Sequence, residues 1–162
     1  MLIQAPYGGR IHRIVVSVNP ERSWKEAIDV LRATDKDSNI YKVGNLYPLK
    51  EGQAKDEEIL LVNFGSTTPS GEYVVDWARP GGLRGLKPAD PRKVFAIGEH
   101  TPLLCSDLMQ DPIAVVSLAS CSFEGDRLVP YVWWNQTRRH ANLIRFDSAW
   151  SINCWFAFTC EW

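Results

Sequence analysis

The segment "GEHTPLLCSDL", from Gly98 to Leu108, places Glu99, His100, Cys105 and Asp107 within one short stretch. These are the side-chain types of a thiol nucleophile, the base that takes its proton and a carboxylate that orients the base. Gly98 and Pro102 set them around an expected strand-to-helix turn, a place where catalytic sites are often built. Spacing alone says little, because such a set works by contact in space. If Leu103, Leu104 and Leu108 face a core, Cys105 becomes a small buried hydrophobe.

The second set of chemistry-bearing residues is "YVWWNQTRRH", Tyr131 to His140. From Arg127 to Arg145 the chain carries four arginines and no acid, with Asp126 and Asp147 just outside. Guanidinium groups beside an exposed aromatic face suit an anionic or stacked ligand. An indole face beside the amides of Asn135, Gln136 and Asn142 suits a sugar equally well. The binding set is therefore Trp133, Asn135, Arg138, Arg139 and His140. Strand alternation divides it, since Tyr131 and Trp133 point to one face and Val132 and Trp134 to the other. At least one tryptophan must be packing. Five of the seven tryptophans lie between Trp133 and Trp162, so this tryptophan-rich C-terminal part also suits a homo-oligomer or protein-partner contact.

Other chemistries are disfavoured. Arg84-Gly85-Leu86-Lys87-Pro88 lacks the G-K-[ST] ending of a phosphate loop. His12, His100 and His140 are scattered singly and no CxxC pair occurs, so neither a metal nor a cofactor is expected. Eighteen basic against nineteen acidic residues leave a formal charge of −1, which argues against general nucleic-acid binding. The start "MLIQAPYGGRIHRIVV" has no cationic region followed by an unbroken apolar run, and no apolar segment reaches the ~18 residues of a membrane span. A soluble cytoplasmic protein is expected. Cys105, Cys121, Cys154 and Cys160 are read as free thiols, and Cys154 and Cys160, about 20 Å apart along one strand, cannot bond to each other.

The elements that must position these residues read as one domain spanning 1–162, large enough to bury about two-thirds of its unfolded surface. "IHRIVVSV" predicts a strand that ends at Asn19-Pro20. Ser23 and Glu26 form a capping box ahead of Trp24, Ala27, Ile28 and Leu31, which predicts one firm amphipathic helix from Ser23 to about Ala33. "IYKVGNLYP", "ILLVNFG", "EYVVDWA" and "VFAIG" read as strands, and "LKEGQAKDEE" and "RPGGLRGLKPADPRK" as loops. "TPLLCSDLMQ" reads as one or two helical turns. "PIAVVSLASCSF" and "DRLVPYVWW" flank Glu124-Gly125 as a hairpin, and "ANLIRFD" and "SINCWFAFTCEW" complete the set of strands. The expected class is α+β, with a mostly antiparallel sheet that is curved, a sandwich or a partly open barrel. Two functions fit: a non-catalytic binding or interaction module using the C-terminal aromatic and basic surface, or a small thiol-dependent hydrolase or transferase using Cys105 and His100.

Overall fold

The structure is a computed structural model that describes residues 3–31, 35–36, 38–79, 85–136 and 138–160. Its strands are β1 (Arg10–Val18), β2 (Asp35–Lys36), β3 (Lys55–Asn63), β4 (Leu86–Pro88), β5 (Ile113–Val116), β6 (Cys121–Phe123), β7 (Asp126–Trp134), β8 (Arg139–Arg145) and β9 (Cys154–Cys160). They form a single sheet in the order β1-β3-β9-β5-β7-β8-β2, with β4 paired to β9 and β6 to β7. Most pairings are antiparallel; β5 with β9 and β2 with β8 run parallel. β1 and β2 lie at opposite ends and do not meet, so the sheet is unclosed; because there is one sheet, the sandwich expectation is corrected.

Helices cover both faces. On one face α1 (Trp24–Asp29), α2 (Ser38–Lys42), α4 (Pro91–His100) and α5 (Leu104–Leu108) pack through Trp24, Ile28, Ile40, Phe95, Ile97 and Leu104. On the other, α3 (Gly71–Ala78) and the segment around Phe146 and Trp150 cover Leu60, Val62, Val116, Phe156 and Phe158. The expectation of one dominant amphipathic helix is thus corrected to several helices. Ser23 does cap α1, its hydroxyl accepting from Glu26 N–H at 3.1 Å, but the helix ends at Asp29; residues 32–34 lie outside the described set.

Three segments read as strands are helical, each for a local reason. "VFAIG" lies in α4, which Asp90 caps by accepting from Arg92 N–H at 2.8 Å and which Pro91 opens. "EYVVDWA" lies in α3, capped by Ser70, with Gly71, Val74 and Ala78 buried at helical spacing. "IYKVGNLYP" holds α2 and a 3₁₀ turn at Gly44–Leu46, where Ile40, Val43 and Tyr47 recur three and four residues apart as the buried positions. β3 conversely begins at Lys55, inside the stretch read as a loop, and the segment read as a loop before α4 contains β4.

Other expectations hold. β3 is central, and Ile59 to Val62 are fully buried because β1 and β9 flank them and both faces are covered. β6 and β7 form the hairpin at Glu124-Gly125, both with positive φ (52° and 83°), as a type I′ turn requires. β9 is central too, paired with β3 on one edge and with β5 and then β4 on the other; residues 161–162, including Trp162, lie outside the described set. All four cysteines are free. Among the described residues no helix is long and apolar enough to cross a membrane.

One buried amide ties the centre of the sheet together. Asn63, 3% exposed at the end of β3, donates through Nδ2 to the carbonyls of Ile152 (2.6 Å) and Cys154 (3.1 Å). Its Oδ1 accepts from Gly65 N–H at 2.8 Å. Gly65 has φ +72°, and a Cβ there would collide with the Gly8 carbonyl, so only glycine fits this turn.

Candidate functional site

Register brings part of the aromatic set together. Trp133 lies between Ala114 on β5 and His140 on β8, and Tyr131 between Val116 and Asn142. Directly opposed residues share a face, so Tyr131, Trp133, His140 and Asn142 form a half-buried block beside the α3-side core. Val132 and Trp134 point the other way, and Trp134 is 1% exposed within the helix-side core. Trp133 is the tryptophan that reaches the surface.

The same register removes Arg139 from that block. It opposes Trp134, shares its face, and donates through Nη1 to the Leu31 carbonyl at 2.9 Å. Asn135 is occupied in closing the β7–β8 connection, where its N–H donates to Arg138 O (3.0 Å) and its Oδ1 accepts from Arg138 N–H (2.8 Å). The four arginines are split between the two ends of the hairpin. Arg127 stacks on Phe146 at 3.6 Å, with Ser120 and Glu72 beside it, and Arg145 pairs with Asp126 at 3.0 Å. The exposed guanidinium of Arg138 meets no partner among the described residues.

The thiol set is not assembled into a relay. His100 is exposed at the end of α4, and its Nε2 lies 3.4 Å from Glu99 Oε2, which also accepts from Arg22 at 2.8 Å. Cys105, 4% exposed in α5, donates instead to the Trp134 carbonyl at 3.7 Å. Burial, helped by Asp111, pushes its thiol up to about 11, against a weaker pull from Arg139. Asp107 is exposed. Among the described residues no hydrogen bond joins His100 to Cys105, and no three His, Cys, Asp or Glu groups gather where a metal ion could be held. A thiol held up by burial is a poor nucleophile at neutral pH. In peptide-resolved mass spectrometry, native Cys105 should therefore stay unalkylated by iodoacetamide over a time that labels it fully in urea; rapid native labelling would restore the nucleophile reading.

Sequence reasoning missed a cleft at the start of α4, lined in part by Val18, Pro20 and Pro48, with a volume of about 280 Å³. Arg92 lines it, 7% exposed, with Nε donating to Arg22 O (3.2 Å), Nη1 to Tyr47 O (2.7 Å), and its guanidinium 5.4 Å from the Trp24 ring centre. The Asp90-Pro91 pair was the signal available, since an acidic cap before a proline marks a helix start. The chain matches no protein-family model, no curated protein and no solved structure.

Proposed function

We propose that this protein is a non-catalytic binding module, working in the cytoplasm, whose contact surface is Trp133 with its neighbours Tyr131, His140 and Asn142, and with Arg138 at its end. The observation that carries the reading is the register Ala114–Trp133–His140 beside Val116–Tyr131–Asn142. It sets an indole and a phenol beside an imidazole and an amide on one half-exposed face, chemistry that suits a pyranose ring. The arginine pairing described above leaves Arg138 to receive an anionic substituent. Four free thiols support a reducing compartment.

The test is titration with neutral and phosphorylated monosaccharides, followed through the indole N–H signals. Saturable shifts at Trp133 with none at Trp134 would support the sugar reading. Shifts at neither, with concentration-dependent self-association lost in Trp133→Ala, would instead identify a contact between copies of the chain. Arg138→Ala should weaken only the phosphorylated ligands and leave the melting temperature unchanged. Arg139→Ala should leave the Leu31 carbonyl without its charged donor and cost about 1.5–3 kcal/mol in urea unfolding.

A further inference from the structure

We propose that the cleft at the start of α4 is a second, independent binding site for a small monocarboxylate with a short apolar body, its headgroup held by Arg92. Arg92 is a cation that folding has removed from water, yet its partners are neutral: two backbone carbonyls and an indole face. Among the described residues no carboxylate lies within ion-pair distance of it; Asp90 spends an oxygen capping its backbone N–H. Buried charges are ordinarily paired, because an uncompensated one retains a desolvation cost. Burial accordingly pulls the Arg92 guanidinium below its usual value, with Asp90 opposing. Nε and Nη1 are occupied, whereas Nη2 makes no hydrogen bond to the described residues and is not among their buried unpartnered atoms. It is therefore the accessible, unoccupied nitrogen of a side chain that lines the cleft.

The lining sets the class of ligand. Lys50, Lys55, Lys93 and Arg92 stand against Glu51, Glu57 and Asp90, which leaves one cation in excess. Glu57 is already engaged, 3.5 Å from Lys93 and 4.0 Å from Lys55. A monoanion balances that excess, while a dianion would meet the three acids without compensation. Val18, Pro20 and Pro48 add apolar lining, and about 280 Å³, just under the ordinary range of ligand cavities, is enough for a short aliphatic or small-ring acid. One guanidinium nitrogen suits a single carboxylate oxygen, with the rim lysines adding a diffuse attraction.

The experiment titrates the full chain with butyrate, acetate and inorganic phosphate at constant ionic strength, following the Arg92 Nε–H and the Gly52 and Gln53 amides by NMR. Butyrate should give saturable shifts at these groups, with at least fivefold weaker binding for acetate and for phosphate. Lys50 is exposed and, among the described residues, bonded only through its backbone, to Pro20, so Lys50→Glu keeps the fold and should weaken butyrate at least fivefold. Arg92→Met should abolish the shifts; because it also loses two backbone tethers, Lys50→Glu is the variant that decides if Arg92→Met unfolds. Absence of saturable butyrate shifts overturns the proposal, as does phosphate binding more tightly than butyrate, or indifference to Lys50→Glu. Trp133 signals are recorded in the same spectra, so failure here is distinguishable from failure of the sugar-binding surface.

Discussion

Trp134→Ala is expected to reduce the free energy of unfolding by about 3–5 kcal/mol, the range for a buried tryptophan truncated in a core. Trp133→Ala, one residue earlier, should cost about 1–2 kcal/mol, because a half-buried ring loses only part of that apolar contact. The contrast comes from register. Trp134 pairs with Ile113 and sits under the helical layer, where it is 1% exposed, whereas Trp133 reaches the opposite face. One effect opposes the larger loss: the Trp134 indole N–H is buried without a partner among the described residues, so truncation removes a penalty of about 1–3 kcal/mol. The lost area and the cavity outweigh it, and the net value should fall toward the lower end of the range. Urea unfolding followed by far-ultraviolet circular dichroism measures both variants. Equal losses would mean that both rings are equally packed, and would remove Trp133 from the contact surface.

Asn63→Asp should be the more instructive lesion, because its cost depends on pH. The amide donates to two carbonyls, Ile152 O and Cys154 O, inside the sheet. An ionised aspartate would place a negative oxygen against the same two acceptors with no cation among the described residues to receive it, which costs about 3–5 kcal/mol. A protonated carboxyl can still donate one hydrogen bond. The variant's folded pKa is therefore raised above the ~3.9 of the unfolded chain. A raised folded pKa means stability that is fully present below the unfolded value and is lost as pH rises through the folded value. Asn63→Asp should thus come nearest to wild type near pH 3.5, short of it by about one hydrogen bond, and fall far below it at pH 7, when both are unfolded in urea across that range. Asn63→Ala, with no group to titrate, should show a deficit that does not change with pH. If the two variants run parallel, the buried amide is not the link described.

Much of the sheet was readable because its signals are local. Continuous β-branched and apolar runs marked β1, β3 and β5, alternation marked β9, and a two-residue turn marked the β6–β7 hairpin. The helices were harder. α2, α3 and α4 carry Val, Ile, Phe, Tyr and Trp in short runs that suit either structure, and the deciding information lay in caps. Ser70 and Asp90 each accept a backbone N–H, and Pro91 opens its helix without needing to donate one. The site divided in the same way. Alternation correctly separated Trp133 from Trp134, since a two-residue period needs no tertiary knowledge. The anchoring of Arg139 on Leu31, 108 positions away, has no local trace, and neither has the cleft, which joins the end of β1, the turn after the 3₁₀ segment and the first turn of α4.

The place of β9 bears on how the chain acquires its structure. It follows the other described strands in sequence, yet it separates β1-β3 from β5-β7-β8-β2. Until it is present, the nine-residue β3 and the apolar β5 each carry a bare edge intended for the same missing neighbour. Such edges pair readily with other chains. A ribosome-bound nascent chain would therefore hold two half-sheets that cannot close on each other, and the consolidating step waits for the segment from Cys154 to Cys160. Loop-closure entropy makes that step slow, since β3 and β9 are joined across roughly ninety residues. Protection against aggregation during synthesis then depends on how quickly β9 is captured.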